Sequence, residues 1–193
     1  MRTRWIVVAV LALLALTSRL ALAAPDELIP CKKLSVKPDN INVKFLCKAP
    51  KGVSFALPEG TSVPTGFYGA DLLIRDLGSN LYIIPGASLP VVNWTGIGNP
   101  AGSKGFRFKD KTADAPCRVL VVTPKQISGT CRAVMGPSSL PVVGDVGLTL
   151  TFVGNPTDTK AYCAQFGGTT VRNDAARFLR KNAPAPGSCP PDP

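Results

Sequence analysis

Cys117 and Cys131 bracket two apolar runs, Val119 to Val122 and Ile127 onward, that meet at Thr123-Pro124-Lys125. Short apolar runs on either side of such a turn predict a β-hairpin. The two cysteines are equidistant from Pro124, so they face each other across that hairpin. A bridge between them closes a short loop and contributes on the order of 3 kcal/mol by restricting the unfolded chain. A chain organised around such a unit is constrained to strands and turns.

The same grammar occurs upstream. Pro30-Cys31-Lys32 matches Pro116-Cys117-Arg118, Pro38 and Pro124 each follow their cysteine by seven residues, and Cys47-Lys48-Ala49 matches Cys131-Arg132-Ala133. The upstream turn is two residues longer and contains Pro38-Asp39-Asn40, a good turn composition. Each hairpin is followed by a Leu-Pro pair, Leu57-Pro58 and Leu140-Pro141, and then by a second pair of runs. In the first copy Leu72 to Arg75 turns at Leu77-Gly78-Ser79-Asn80 into Leu81 to Ile84; in the second, Leu148 to Phe152 turns at 154–158 into Ala161-Tyr162-Cys163. With 18 glycines and 19 prolines as punctuation, this predicts an all-β fold. It is a disulfide-stapled β-sandwich or barrel built from two related hairpin-rich units, residues 24–90 and 91–193, sharing one core.

Residues 1–23 read as an export signal: Arg2 and Arg4 precede an apolar core from Trp5 to Leu16, and Ala21-Leu22-Ala23 forms a small-residue cleavage site. The apolar run is shorter than the roughly 20 residues of a membrane span, and Arg19 interrupts its end. No span is therefore expected in the processed chain, which is secreted or periplasmic. The remaining 170 residues suit one compact domain. Removing Arg2, Arg4 and Arg19 from the 22 basic residues leaves 19 against 12 acidic, a net charge of +7. This balance favours anionic partners, an acidic polysaccharide or a cell-surface component. The basic residues are scattered, with no run of the kind that marks a nucleic-acid-binding tail, so no nucleic acid is expected.

All six cysteines, at 31, 47, 117, 131, 163 and 189, lie in the exported part. An even count there argues for three disulfides. The repeat assigns them as Cys31–Cys47, Cys117–Cys131 and, by remainder, Cys163–Cys189. No C-x-x-C spacing and no histidine is present, so neither a metal site nor a cofactor is expected.

Between the hairpin pairs, Val91-Val92-Asn93-Trp94 reads as a strand and 96–105 as a glycine-rich loop. Phe106 and Phe108 then alternate with Lys104, Arg107 and Lys109, giving an extended segment one aromatic and one basic face. With Trp94 these residues form the candidate binding surface, a platform stacking on sugar rings while cations meet acidic groups. Each aromatic taken singly reads as core packing. One helix is expected, from Asp174 to Lys181, with Asp174 as its cap. The proline-rich tail beyond it runs extended, tied down by Cys189.

The absence of histidine removes the Ser-His-Asp and Cys-His nucleophiles in their usual form. A carboxylate pair for glycoside hydrolysis remains open, with Asp110 and Asp114 nearest and Asp71 and Asp145 as further candidates. Asp110 and Asp114 also read as turn residues. The function expected is a non-catalytic binding module, with a carboxylate-based glycan hydrolase and a secreted protease inhibitor as alternatives. Asn93-Trp94-Thr95 is a glycosylation sequon that matters only in a glycosylating host.

The strings G-S-K-G-F-R-F-K-D-K, A-P-C-R-V-L-V-V-T-P, Y-C-A-Q-F-G-G-T and K-N-A-P-A-P-G-S-C-P, spread over residues 94–190, resemble those of an uncharacterised group of secreted bacterial proteins. The resemblance implies export, a repeated β unit and this cysteine placement, and it carries no mechanism. The first copy departs from it, lacking both the F-R-F-K segment and the Tyr-Cys of the last hairpin.

Overall fold

The computed structural model describes residues 26–37, 42–58, 69–132, 140–154 and 159–190. The expected signal, residues 1–23, lies outside the described residues, as does the Pro38-Asp39-Asn40 turn. The described strands are β1 (Glu27–Leu28), β2 (Cys31–Lys37), β3 (Asn42–Lys48), β4 (Gly69–Asp76), β5 (Tyr82–Pro90), β6 (Trp94–Ile97) and β7 (Gly105–Lys109). They continue with β8 (Cys117–Thr123), β9 (Gln126–Cys131), β10 (Val146–Val153), β11 (Lys160–Phe166), β12 (Thr169–Asp174) and β13 (Arg177–Ala183). They form a five-stranded sheet, β1-β11-β10-β4-β5, and an eight-stranded sheet, β12-β13-β2-β3-β9-β8-β7-β6. The edges β12 and β6 do not pair with each other, so the fold is a sandwich rather than a closed barrel.

Both cysteine hairpins form, side by side, joined antiparallel through β3 and β9. Register explains how their cysteines meet. In β8–β9, Thr123 opposes Gln126 and Val119 opposes Thr130, which centres the turn between Pro124 and Lys125. A bulge at Arg118 then brings Cys117 opposite Cys131. In β2–β3 a shift between Cys31 and Lys33 does the same for Cys31 and Cys47. The bonds present are Cys31–Cys47, Cys117–Cys131 and Cys163–Cys189. The last ties the 184–190 tail to the five-stranded sheet.

The second pair of hairpins, β4–β5 and β10–β11, meets through β4 and β10 in the other layer. Alternating positions point into the space between the layers: Leu34 and Val36 of β2, Leu120 and Val122 of β8, Leu72 and Ile74 of β4, Leu148, Leu150 and Phe152 of β10, all buried. An aromatic chain crosses the core: Trp94 packs 5.4 Å from Phe108 and 5.0 Å from Phe152, which lies 6.1 Å from Tyr162. These centroid spacings suit tilted and edge-on ring contacts. Gly129 is required where it stands, since a Cβ there would lie 2.5 Å from the Phe45 ring covering it.

Two expectations are corrected. Asp174 to Lys181 is not a helix: Asp174 ends β12 and Arg177 begins β13. The capping chemistry is present but serves a turn, Asp174 Oδ1 accepting from the Ala176 and Arg177 amides at 2.9 and 3.0 Å. Phe178 and Leu179 lie opposite Val36 and Ser35 of β2, whose unpaired edge takes up this segment as a strand. Tertiary pairing here overrides local propensity. Val91–Asn93 forms a 3₁₀ turn, and the strand begins only at Trp94. The 96–105 loop closes a hairpin, with backbone bonds from Lys104 to Ile97 and from Gly105 to Gly102.

Candidate binding face

Every second residue of β2 and β3 points away from the core, and in this sheet those residues are mostly cations. Lys33 and Lys37 project from β2, and Lys44 and Lys48 from β3, all exposed. On β13, Lys181 stands directly opposite Lys33. Arg177 is held over the same face by a 3.4 Å bond from its Nε to the buried Ser35 Oγ. Ser35 in turn faces Lys44. Lys33, Ser35, Lys37, Asn42, Lys44 and Arg177 line one cleft of about 370 Å³. The Asn42 Oδ1 atom in it is buried and takes no hydrogen bond.

The strands of the eight-stranded sheet carry twelve Lys or Arg and one carboxylate, Asp174. That carboxylate is engaged by Arg172 at 2.5 Å. The strands of the five-stranded sheet carry Glu27, Asp71 and Asp76 against Arg75 and Lys160. The charge is thus segregated by layer. Among the described residues, none of Lys33, Lys37, Lys44, Lys48 and Lys181 forms an ion pair.

The basic face extends beyond the strands at the disulfide end. Lys32, Lys48 and Lys51 line a second cleft, and Lys48, Lys51 and Lys125 a third. Lys51 is brought there because the 49–55 segment hydrogen-bonds to the β8–β9 turn, Ala49 N to Lys125 O at 3.0 Å and Phe55 N to Pro124 O at 2.8 Å. Among the described residues, no carboxylate lines any of these three clefts.

The residues singled out from sequence divide between core and surface. Trp94, Phe106 and Phe108 are 3%, 1% and 0% exposed, so they hold the layers together and present no stacking platform. Arg107 and Lys109 are exposed on the outer face of β7, opposite Val121 and Val119, and Lys104 is exposed in the β6–β7 turn. The alternation of aromatic and basic positions is as the sequence implies. The larger basic cluster, on β13, β2 and β3, had one signal in the sequence: lysines at 33 and 37 and at 44 and 48 share parity along their strands.

The candidate acids have other occupations. Asp110 accepts from the Thr112 amide and hydroxyl and from Asn93 Nδ2, and these bonds hold its carboxyl below the ordinary value. Asp114 is fully exposed, 4.0 Å from Arg132. Asp145 is tied to Arg180 at 2.6 Å and to Gln165 at 2.9 Å. Asp71 is exposed on the outer side of β4. Asp26, Cys163 and Cys189 cluster closely enough to hold an ion, but both sulfurs are consumed by their disulfide. The segments 59–68 and 133–139 lie outside the described residues. No family model, curated protein or solved structure matches the chain.

Proposed function

We propose that the protein is an exported, non-catalytic β module that binds an acidic polysaccharide through the outer face of its eight-stranded sheet. The observation that carries this reading is Lys181 opposite Lys33 in the middle of that sheet, with Lys44 and Lys48 one strand further on and no carboxylate between them. Like charges directly opposed across strands are destabilising. Strands β13 and β2 are internal, so these lysines do not serve to block a sheet edge. An anionic partner supplies the missing countercharge. Asn42, Ser128 and Thr130 interleave with the cations and offer hydrogen bonds to hydroxyls, which favours a sugar polymer over a bare anion. The disulfides support an oxidising compartment.

The strand order also supports duplication. Read outward from β3 and β9, the sheet meets β2 and β8, then β13 and β7, then β12 and β6. The two cysteine hairpins share the same bulge position, immediately after the first cysteine. In this reading the ancestral unit had three hairpins, so the boundary between the copies falls after β7, which ends at Lys109, rather than at residue 90. The third hairpin of each copy, β6–β7 or β12–β13, extends the sheet beside the first hairpin of the other.

The test is binding to polygalacturonate, with neutral dextran as control, across a salt series. Affinity for polygalacturonate should fall as salt rises, since exposed charges are screened over about 8 Å at physiological ionic strength. The triple variant Lys33→Gln, Lys44→Gln, Arg177→Gln should bind about tenfold more weakly at low salt with an unchanged circular dichroism spectrum. Equal binding to dextran, or an unaltered affinity in the triple variant, contradicts the reading. Tighter binding to nucleic acid or to anionic vesicles redirects it.

A further inference from the structure

The basic residues are not spread evenly over the face, and their spacing suggests how a ligand lies on it. Lys44 and Lys48 are four residues apart on β3, about 14 Å at the usual rise per residue. Lys33 fills that interval: it stands opposite Leu46, midway between them on the neighbouring strand. Diagonal neighbours of this kind are about 8 Å apart. Lys44, Lys33 and Lys48 therefore form a zigzag whose steps match the screening length in physiological salt. At its upper end lies the cleft with Arg177 and Lys37. At its lower end Lys48 is shared by the two clefts that contain Lys51, one of which also contains Lys125.

Across the strands the picture differs. Beyond β3 the outward positions of β9 are Gln126, Ser128 and Thr130, and those opposite them on β8 are Thr123, Val121 and Val119. The next cations are Arg118, at the β8 bulge beside Val119 and two strand spacings or about 10 Å from β3, and Arg107 and Lys109 of β7, three spacings or about 14 Å away. A flexible polyanion crossing through the middle row, over Ser128 and Val121, would meet no charge between β3 and Arg107, nearly two screening lengths.

We infer that the ligand is an extended polyanion laid along β3, from the Arg177 and Asn42 cleft at one end to Lys51 and Lys125 at the other, rather than a single acidic group or a chain crossing the sheet. This rests on the reading of the face as a polysaccharide site and specifies its footprint. Asn42 to Lys48 alone spans about 20 Å, so several consecutive acidic sugars are engaged. At the upper end Arg177, oriented by Ser35, takes a carboxylate.

The experiment uses galacturonate as monomer, trimer and decamer, titrated into the protein and three paired variants. The decamer should bind at least about tenfold more tightly than the trimer, because contacts made in series by one chain add without new association cost. Lys44→Gln with Arg177→Gln, and Lys51→Gln with Lys125→Gln, should each weaken decamer binding about fivefold. Arg107→Gln with Lys109→Gln should change it by less than about twofold. Monomer binding as tight as that of the decamer overturns the inference in favour of a single-anion pocket. A loss in the Arg107 and Lys109 variant equal to that in the Lys44 and Arg177 variant overturns it in favour of a path across the strands. Both results leave the face as the site. Absence of binding at every length removes the underlying reading as well.

Discussion

Asp76 provides the sharpest stability test of the sandwich. It ends β4, is 2% exposed, and accepts four hydrogen bonds: from Gly78 N at 3.0 Å, Ser79 Oγ at 2.6 Å, Val143 N at 2.9 Å and Gly144 N at 3.0 Å. One carboxylate thereby joins the β4–β5 turn to the segment that leads into β10. The two backbones are so close that a Cβ on Gly78 would sit 2.7 Å from Gly144 N, which leaves little room for water to replace the side chain. Each donor stranded without a partner costs about 1 to 3 kcal/mol. Allowing for partial rehydration, Asp76→Ala should destabilise the protein by about 4 kcal/mol. Asp76→Asn keeps one acceptor oxygen and should cost about half as much. Burial pushes the Asp76 carboxyl up, but the bonds from Ser79, Val143, Gly78 and Gly144 together outweigh it and hold the group below its ordinary value of 3.8. Its contribution is thus fully present above pH 3.8 and is lost as pH falls through the lower folded value. Urea unfolding followed by the fluorescence of Trp94 measures both effects. The gap between the native protein and Asp76→Asn should be constant near neutrality and narrow below pH 3.8. A loss under about 1 kcal/mol for Asp76→Ala, with an unchanged acid limb, refutes the reasoning.

Replacing Cys117 and Cys131 together by serine should lower stability by about 3 kcal/mol, read from the shift in urea midpoint, and peptide mapping of the native protein without reduction should recover three locally linked pairs. Gly129→Ala should cost about 1 to 3 kcal/mol because its methyl meets the Phe45 ring, and Phe45→Leu should recover part of that loss in the double variant. Trp94→Ala should destabilise by about 3 to 5 kcal/mol, measured by near-ultraviolet circular dichroism during thermal unfolding, while leaving polygalacturonate affinity of the folded protein unchanged, since Trp94 lies within the core.

The local hairpins were legible because their information is local. Cysteines equidistant from a turn, and apolar residues two apart, specify a hairpin and its pairing within twenty residues, which is why Cys31–Cys47, Cys117–Cys131 and the inward aromatics of β7 follow from the sequence, with Cys163–Cys189 left by remainder. Asp174 to Lys181 was misread because its cap and its apolar pair suit a helix equally well, and only the open edge of β2 decides. The larger basic cluster is hard to read from the sequence for a related reason. Lys33, Lys44, Arg177 and Lys181 lie far apart in the chain and become neighbours only once β13 pairs with β2 and β2 with β3. The cations near Phe106, at positions 104, 107 and 109, are close together in the sequence, whereas the others are dispersed along it. Parity along β2 and β3 was the available signal, and the order of strands in the sheet was the missing part.

The central claim is that the outer face of the eight-stranded sheet meets an acidic polymer. Amide chemical-shift mapping of the ¹⁵N-labelled protein with polygalacturonate tests it most directly. The account predicts shifts at Lys33, Lys37, Lys44, Lys48, Arg177 and Lys181 that vanish at high salt, with the outer positions of β4 and β10, such as Asp71, Thr149 and Thr151, unmoved. Shifts confined to the five-stranded sheet, or no shifts at low salt, contradict it.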